Sequence, residues 1–477
     1  MDTSEGRAEG VERGAGQSRA VARARAADPL LVLTAAALAV AAASLVVLPG
    51  SPAYDPWAWI IWGREVAHFD LSTPSGPSFK PLPVAVTTVL SIFGGAAPAL
   101  WLVVVRAAGI VAVVSAFRVA ARLAPCAKVF AGLIAAGGVL LINGFLESVG
   151  SGWSEFLVAA AMLVAVERHL DGARRTAFVL IFAAALVRPE AWPFLGLYAL
   201  YLWRRDPGAR ALVAVLLVLV PVLWYVPELI SSGNLFRSQE RAQQPLPGRP
   251  ALAKHPALAV LRQGRPLILT PLEVLAAFAT VFACIAFVRR REHAATAVLG
   301  LGCATWIATV AVMSQFGYTG NPRYLVPAAV FACVLAGIGA AMLVGFVRLG
   351  RRHRAARAAS AVAIVAILAA LGPSAVSAVG RLRSDADGIR RQHAVFADLG
   401  RAVSRAGGRA RVIACGNVST GPFEVPMVAW TLGVHIGEVG NTPPSIVFRV
   451  RRGAPPPAGV GRRRFETAWW EVYAACR

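Results

Sequence analysis

The chain has 477 residues, of which 57% are hydrophobic and 15% are charged, and its formal net charge is +23. A charged fraction this far below the roughly one quarter of soluble domains excludes an ordinary soluble protein. The basic residues fall in small clusters between long apolar runs. This pattern excludes a nucleic-acid groove and is typical of a polytopic membrane protein, so membrane lipids are the expected surroundings.

The chain begins with a polar tail and a long apolar run. Residues 1–28 are polar and rich in Gly, Ala and Arg, which predicts a disordered cytoplasmic tail. The apolar run over residues 29–49 starts late and is long. It therefore predicts a membrane span rather than a cleaved signal peptide.

Residues 50–97 form the first outer loop, where acids and bases lie among Pro and Trp residues. Trp favours the membrane surface, so an ordinary interfacial loop is one interpretation and a reactive site is the other. The run WAWIIW predicts an interfacial helix. Residues 80–95 are short for a span and predict a juxtamembrane helix or a re-entrant segment. The ionisable residues of this loop are Asp55, Arg64, Glu65, His68, Asp70 and Lys80.

Apolar runs near the length that crosses a bilayer recur after this loop. With the first run they predict about eleven spans within residues 29–379. The triplet Arg188-Pro189-Glu190 interrupts one apolar stretch and predicts the outer turn of a short helical hairpin. The further predicted spans are 98–121, 127–144, 153–167, 176–189, 190–203, 211–227, 271–288, 294–314, 324–347 and 359–379.

The distribution of Lys and Arg predicts the orientation. The connections assigned to the cytoplasm are short and carry more basic residues than the longer outer loops, of which 228–270 is the large one. Because basic residues favour the cytoplasmic side, we expect a cytoplasmic N-terminus and residues 380–477 outside. The expected location is the plasma membrane of a bacterium.

Residues 380–477 differ in character and predict a small extracytoplasmic α/β domain after an all-α polytopic membrane domain. They contain a helix-like segment over 381–407, the strand-like RVIACG at 411–416, and the segments SIVFRVRR and WWEVYAAC. Cys415 and Cys476 both lie here. Two cysteines in an oxidising compartment often pair, so we expect a disulfide.

Ionisable residues also concentrate near the predicted outer ends of the spans. Charges at such depth are costly and usually face a cavity or a partner. Their shared side predicts one outward-facing cavity, although a structural ion pair is the alternative for Arg188 with Glu190. The sequence has no CxxC, no HExxH and no Walker A loop, which argues against a structural zinc site, a zinc hydrolase and ATP use. These residues are Asp55, Lys80, Arg106, Glu147, Glu155, Arg188, Glu190, Glu228 and Arg323.

The order of several short motifs resembles the GT-C superfamily of integral-membrane glycosyltransferases. It is similar to the branch of protein O-mannosyltransferases and lipid A aminoarabinose transferases. The first-loop acid departs from the family pattern because it lies in Tyr-Asp-Pro rather than in an acidic pair, and residues 380–477 lie outside the resemblance, which covers about residues 30–345. The motifs are Asp55, Lys80-Pro81-Leu82-Pro83, Phe93-Gly94, Arg106, Arg188-Pro189-Glu190-Ala191-Trp192 and Asn321-Pro322-Arg323-Tyr324-Leu325.

The resemblance implies transfer of a sugar, mannose-like or other, from a polyprenyl-phosphate donor to an extracytoplasmic glycan, lipid or protein, with inversion. Asp55 is then the expected general base. Glu147 and Glu190 are expected to orient the acceptor or a divalent cation, which some members of the family use. The expected donor contacts are Lys80, Arg106, Arg188, Arg323 and Tyr324, with Arg237 and Arg241 as further candidates.

Two other classes of function remain open at this point. A transporter or flippase of lipid-linked glycans would also use charges at membrane depth, usually with inverted repeats, and no repeat is apparent. A non-catalytic envelope scaffold would explain the external domain but not the acid in the first loop.

Overall fold

The computed structural model describes residues 29–349, 354–451 and 463–476. The predicted tail at 1–28 lies outside the described residues. The helices are α1 (Pro29–Val47), α2 (Tyr54–Ala67), α3 (Pro81–Leu90), α4 (Ala97–Leu123), α5 (Lys128–Leu140), α6 (Phe145–Gly150), α7 (Glu155–Leu170), α8 (Arg174–Ala185), α9 (Trp192–Arg205), α10 (Arg210–Ser232), α11 (Arg237–Ala242), α12 (Pro256–Gly264), α13 (Thr270–Arg290), α14 (Ala294–Gln315), α15 (Val326–Leu349), α16 (Arg354–Arg405), α17 (Arg409–Ala414) and α18 (Val425–Leu432). The strands are β1 (Val418–Thr420), β2 (Ile446–Val450), β3 (Arg463–Glu466) and β4 (Trp470–Ala474).

The chain is a multi-pass membrane protein. Within the described residues, seven helices are long and apolar enough to cross a bilayer. Each of the eleven predicted segments coincides with a helix. Four of those helices, α5, α7, α8 and α9, are shorter, at 13, 16, 12 and 14 residues. The count of about eleven spans therefore stays a prediction.

The juxtamembrane segment forms a separate helix, as predicted. Helix α3 begins with Pro81, whose fixed φ and missing N–H suit the first helical turn. A 3₁₀ helix at Ser91–Ala96 follows it. Gly94 within that turn has a φ of 53°, a conformation that glycine adopts without steric cost. The chain can therefore reverse there into the long span α4.

Helix α2 is not the exposed interfacial helix that its Trp content predicts. Trp57, Trp59 and Trp62 are each at most 2% exposed. The Trp57 ring lies 4.8 Å from that of Phe396 and 6.0 Å from that of Trp430, both in the C-terminal region. Trp59 packs on Trp101 and Trp62 packs on Phe79, so the apolar side chains of α2 are buried by the C-terminal region and by neighbouring elements together.

The C-terminal region is continuous with the last span. Helix α16 runs unbroken for 52 residues, so the predicted domain boundary at residue 380 falls inside it. A four-stranded sheet follows in the order β1-β2-β4-β3. Strand β1 pairs in parallel with β2, and β4 pairs antiparallel with both β2 and β3. Phe448 and Trp470 share one buried cluster with Trp57 and Trp101, so this region and the membrane domain have a common core.

The strand predicted at residues 411–416 is wrong, because Arg409–Ala414 forms helix α17. Gly407 and Gly408 both have positive φ and end α16, which lets a new helix start at once. Val412 is buried, whereas Ala410 and Ala414, which would share its face in a strand, are exposed. This short run lacks the alternation of a strand, and the first strand begins only at Val418.

The predicted disulfide between Cys415 and Cys476 is confirmed, with the two Cα atoms 5.6 Å apart. Cys415 directly follows α17, and Cys476 lies two residues beyond β4. The bond therefore ties the end of the described chain to the start of the sheet domain.

Candidate active site

A cavity of about 1870 Å³ lies between the membrane helices, the large loop and the C-terminal region. This volume exceeds the roughly 300–1,000 Å³ of a typical small-molecule pocket, so it has room for two substrates. Seven of the eight predicted site residues line it. They are Asp55, Lys80, Glu147, Arg188, Glu190, Arg323 and Tyr324.

A chain of ion pairs connects the charged residues of the wall. Arg323 Nη2 lies 2.8 Å from Asp55 Oδ2, and Arg323 Nε lies 3.6 Å from Glu155 Oε1. Arg188 donates to Glu155 and to Glu190, the latter at 3.2 Å. Two guanidinium groups therefore share Glu155, a buried carboxylate between them.

Aromatic rings hold both guanidinium groups. The Arg323 guanidinium carbon lies 3.7 Å from the Trp153 ring centre, and that of Arg188 lies 3.9 Å from the Tyr324 ring centre. A flat, weakly hydrated guanidinium stacks well in this way while its N–H groups keep their edge directions. The rings thus fix the planes in which the two Arg side chains present donors.

Short Pro-headed turns place these two Arg residues. Arg188 precedes Pro189 and is extended, with φ −142° and ψ 127°, as residues before Pro prefer. A 3₁₀ turn at Pro189–Ala191 then leads into α9. Asn321 caps a second 3₁₀ turn, at Pro322–Leu325, by accepting from the Arg323 N–H at 3.2 Å. The predicted hairpin turn at residues 188–190 is confirmed.

Several buried polar atoms of the network have no hydrogen-bond partner within the described residues. Such atoms are rare in folded proteins and each costs roughly 1–3 kcal/mol. Their concentration beside one cavity indicates a site for a polar ligand. The atoms are Glu155 Oε2, Glu190 Oε2, Arg188 Nε and Arg323 Nε.

Lys80, the residue before α3, lines the same cavity. Its Nζ lies 3.3 Å from Ser154 Oγ and 4.9 Å from the Trp59 ring centre. Burial, and then the charge of Arg188, lower the pKa of Lys80 to about 7. The ammonium is therefore poised to gain or lose its proton near neutral pH.

Glu147 lies in the first turn of the short helix α6. Burial raises the pKa of its carboxyl, the nearby Asp385 raises it further, and Arg323 lowers it. Glu147 lines the cavity and, unlike Asp55, takes part in none of the ion pairs of the described residues. It is therefore the rival to Asp55 as a proton acceptor.

Arg106 is the predicted site residue that the structure places elsewhere. Its guanidinium donates to Ser44 Oγ at 3.0 Å and to the Leu48 carbonyl at 2.8 Å. It is 5% exposed and does not line the cavity. Arg106 therefore holds the end of α1, a structural role that the motif did not distinguish from phosphate binding.

The two candidate Arg residues of the large loop, Arg237 and Arg241, lie in different surroundings. Arg237 donates to the carbonyls of Pro77 at 2.6 Å and Gly76 at 2.9 Å, and its Nη1 lies 3.4 Å from Glu228. These contacts fasten the large loop to the first loop. Arg241, by contrast, lines the cavity.

Sequence reasoning left out of the site Glu155, which is buried and does not line the cavity, and several residues that do line it. Glu155 carried a signal, since an acid in an apolar helical run is costly, and it stood among the membrane-depth charges. Trp153 and the wall residues of the C-terminal region carried none, because no motif marks them. The latter residues include Arg391, Gln392, Thr420, Phe423 and Glu424.

The wall carboxylates do not fit a divalent cation. Within the described residues, no group of three or more His, Cys, Asp or Glu side chains is placed to hold a metal. Asp55, Glu155 and Glu190 each face an Arg guanidinium, which a metal ion would repel. No step below depends on a metal.

No family model and no curated protein matches the chain. Solved structures do. The crystal structure of ArnT from Cupriavidus metallidurans in the apo state is 14% identical, over 93% of this chain and 97% of that one, with a TM-score of 0.57. ArnT bound to undecaprenyl phosphate is also 14% identical, over 94% and 98%, with a TM-score of 0.53.

A third similar structure is the Archaeoglobus fulgidus oligosaccharyltransferase in complex with Zn and sulfate. It is 12% identical, over 87% of this chain and 68% of that one, with a TM-score of 0.47. The two ArnT structures cover nearly the whole of both chains. The chain therefore has the fold of ArnT.

Proposed function

We propose that the chain is a membrane glycosyltransferase that moves a sugar from a polyprenyl-phosphate donor to an extracytoplasmic acceptor. The observation that carries this proposal is one cavity wall that holds the acid Asp55 beside Lys80 and Arg323. Transfer from a lipid phosphate needs a base for the acceptor hydroxyl and cations for the leaving phosphate. The ArnT structure with undecaprenyl phosphate supports a lipid of this kind as the donor.

Arg323 and Lys80 are the cations for the donor phosphate. Arg188 faces two carboxylates, Glu155 and Glu190, so its charge is already matched. Arg323 is partly exposed to the cavity and Lys80 pairs with no carboxylate within the described residues, so both have charge to offer. Arg188 and Tyr324 then act as positioning residues, because the Tyr324 ring contacts the guanidinium groups of both Arg188 and Arg323.

The reaction is a single displacement with inversion. The acceptor hydroxyl oxygen attacks the anomeric carbon of the sugar as its proton passes to Asp55. The bond between that carbon and the phosphate oxygen breaks, and its electron pair leaves with the polyprenyl phosphate. Arg323 and Lys80 stabilise the charge that develops on the leaving oxygen.

Asp55→Asn tests the proposal in the full chain, purified in detergent and supplied with undecaprenyl-phosphate-linked mannose and cell-envelope acceptors. We expect turnover to fall by about two to four orders of magnitude, the usual contribution of a positioned base, while undecaprenyl phosphate binding survives. Asp70→Asn is the matched control, because Asp70 is an exposed acid of the same loop that does not line the cavity.

Near-normal turnover of Asp55→Asn, with loss of turnover in Glu147→Gln, would move the base to Glu147. Activity that appears only in sealed vesicles, as movement of the lipid without sugar transfer, would instead show a transporter. A metal chelator is expected to leave the turnover unchanged.

The same proposal places the cavity on the outer face of a bacterial plasma membrane. Reporter fusions after Arg291 and after Arg390 test this orientation. We expect a cytoplasmic signal from the first and an external signal from the second, because the short Arg-rich connections favour the inside. The reverse pattern would remove the site from the side where extracytoplasmic acceptors lie.

A further inference from the structure

One side of the cavity is built by the C-terminal region, which has no assigned role. Residues 419–424 comprise the last two residues of β1 and the turn that leads to α18, and we call them the acceptor wall. Two residues of α16, Arg391 and Gln392, lie beside this segment in the cavity. The lining residues of the acceptor wall are Ser419, Thr420, Pro422, Phe423 and Glu424.

The acceptor wall has unused hydrogen-bonding capacity. Thr420 Oγ1 is buried and has no partner within the described residues. Glu424 and Arg391 take part in none of the ion pairs formed by the described residues. Gln392 is different, because it donates to the Pro52 carbonyl and accepts from Ser151. The wall therefore offers one hydroxyl, one carboxyl group and one guanidinium to a ligand.

Phe423 adds an aromatic surface among these polar groups. Its side chain is 65% exposed. Among the described residues after Arg405, Ile413 is the other large apolar side chain that is exposed, and it does not line the cavity. Pro422, Val425 and Met427 also line this side of the cavity, so Phe423 adds an exposed ring to a wall that carries both apolar and polar groups.

Strand addition by a peptide acceptor is hindered at one position beside this wall. Extended peptides commonly bind by adding a strand to a free sheet edge. Strand β1 is an edge strand, but Val439 forms a parallel bridge with Val418 on that side. The Gly440 N–H also donates to the Val418 carbonyl at 2.9 Å. The backbone position at Val418 is thus already paired on this edge.

A sugar ring matches the aromatic ring and the polar groups of the acceptor wall. Its flat C–H face packs on an aromatic ring, and its rim of hydroxyls needs both donors and acceptors around it. The acceptor wall also leads directly into α18, which packs on α2 through Trp430 and Trp57. Asp55 lies in the first turn of α2. A ligand on this wall is therefore held on the segment that packs against the helix of the candidate base.

We propose that the acceptor is a glycan whose sugar ring packs on Phe423 and whose hydroxyls bind Thr420, Glu424 and Arg391. This inference rests on the proposed transferase function and names the acceptor class for it. The C-terminal region then acts as the acceptor-binding part of the enzyme.

The test measures oligosaccharide binding to the full chain in detergent by saturation-transfer NMR, without any donor. The probes are mannotriose, cellotriose and the oligosaccharides released from the envelope of the producing cells. We expect binding of at least one probe. Phe423→Ala should weaken it about tenfold or more, roughly 1.4 kcal/mol, whereas Phe423→Trp should retain it. Ile413→Ala is the matched control, since it removes the other exposed apolar side chain outside the cavity.

The outcomes separate this inference from the proposed function. Binding that Phe423→Ala leaves unchanged, or no binding of any probe, would overturn the glycan acceptor. Transfer of sugar to a peptide or lipid acceptor with Asp55-dependent turnover would also overturn it while the transferase function stands. Oligosaccharide binding that depends on Phe423, with no turnover of the donor under any condition, would instead count against the transferase. Thr420→Val and Glu424→Gln should each weaken oligosaccharide binding. An unfolding temperature equal to that of the wild-type protein verifies that each variant is folded.

Discussion

Arg323 Nη2 lies 2.8 Å from Asp55 Oδ2, so the candidate base and a candidate phosphate-binding cation are partners before any substrate is present. The pair uses Oδ2 of Asp55, and the Asp55 side chain also lines the cavity. A donor phosphate offers Arg323 a second anionic partner. Donor binding would thus weaken the ion pair between Asp55 and Arg323. We therefore expect the donor to bind before the acceptor.

Arg323→Gln tests the cation side of this pair. It should weaken undecaprenyl phosphate binding by about ten- to a hundredfold, because a charge-assisted hydrogen bond contributes roughly 1.5–3 kcal/mol. Arg323→Lys keeps the charge but loses the bidentate guanidinium and its stacking on Trp153. Its affinity for undecaprenyl phosphate should therefore lie between those of the wild type and Arg323→Gln. Binding is measured on the purified protein, with Arg390→Gln as an exposed control. Wild-type affinity in Arg323→Gln would remove Arg323 from the donor site.

Lys80 predicts how donor binding depends on pH. The protonated ammonium is the form that binds phosphate, and its pKa is about 7, so affinity should fall as the pH rises through and above that value. Bound phosphate favours the charged form and moves this loss to a higher pH. Lys80→Arg remains charged throughout, so it should lose the pH dependence, and it corrects for the titration of the ligand itself. Parallel pH profiles of the two proteins would contradict the assignment.

His435 predicts a pH-dependent attachment of the C-terminal region to α2. Its Nδ1 lies 2.8 Å from Glu65 and its Nε2 lies 3.2 Å from Asp70. Burial alone would lower the pKa of His435, but Glu65, Asp70 and Glu438 raise it above its ordinary value. A raised pKa contributes stability that is fully present below the unfolded-state pKa and is lost as the pH rises through the folded-state pKa.

His435→Ala should therefore lower the thermal unfolding temperature most in mildly acidic buffer, and the difference should shrink above neutral pH. Burial also raises the pKa of Glu65, which acts in the same direction. His68→Ala is the control, because His68 is exposed on the same loop and contacts only the Arg64 carbonyl among the hydrogen bonds found. An equal loss of stability at every pH would show that His435 acts by packing alone.

The Cys415–Cys476 disulfide closes a long loop, with a sequence separation of 61. In the chain-entropy model, removing such a cross-link costs up to about 4 kcal/mol. Cys415→Ser with Cys476→Ser should therefore lower the unfolding temperature and increase proteolysis of the sheet domain. Cys284→Ser is the control, because Cys284 is a free cysteine in α13. Peptide mapping without reductant should recover the linked pair, and two free thiols would contradict the bond.

The membrane domain and most of the charged wall could be predicted from the sequence. Length and polarity determine where a helix can cross a bilayer, and a charge at membrane depth needs a partner or water. Asp55, Arg188 and Arg323 met both criteria, and they lie in one cavity. Arg106 met the same criteria, yet its partners are Ser44 and the Leu48 carbonyl. The position of a charged residue at membrane depth predicts that it has a partner, but does not identify that partner.

The part contributed by residues 380–477 could not be predicted. The burial of Trp57 depends on Phe396 and Trp430, which are more than three hundred residues away in sequence. Local patterns contain no such information. Helix α17 was mistaken for a strand because a short apolar run fits either structure, and only the two preceding glycines favour a new start.

Under the proposed function, the length of helix α16 predicts that the thickness of the bilayer affects turnover. Its 52 residues extend about 78 Å, against a hydrocarbon core of roughly 30 Å. One end lies among the spans, and the other carries Arg391 and Gln392 on the cavity wall. A span tilts when the membrane becomes thinner, and a continuous helix transmits that tilt to its far end as a lever. The same protein in short-chain and long-chain lipids would then hold donor and acceptor at different separations, so lipid length becomes a means of adjusting turnover.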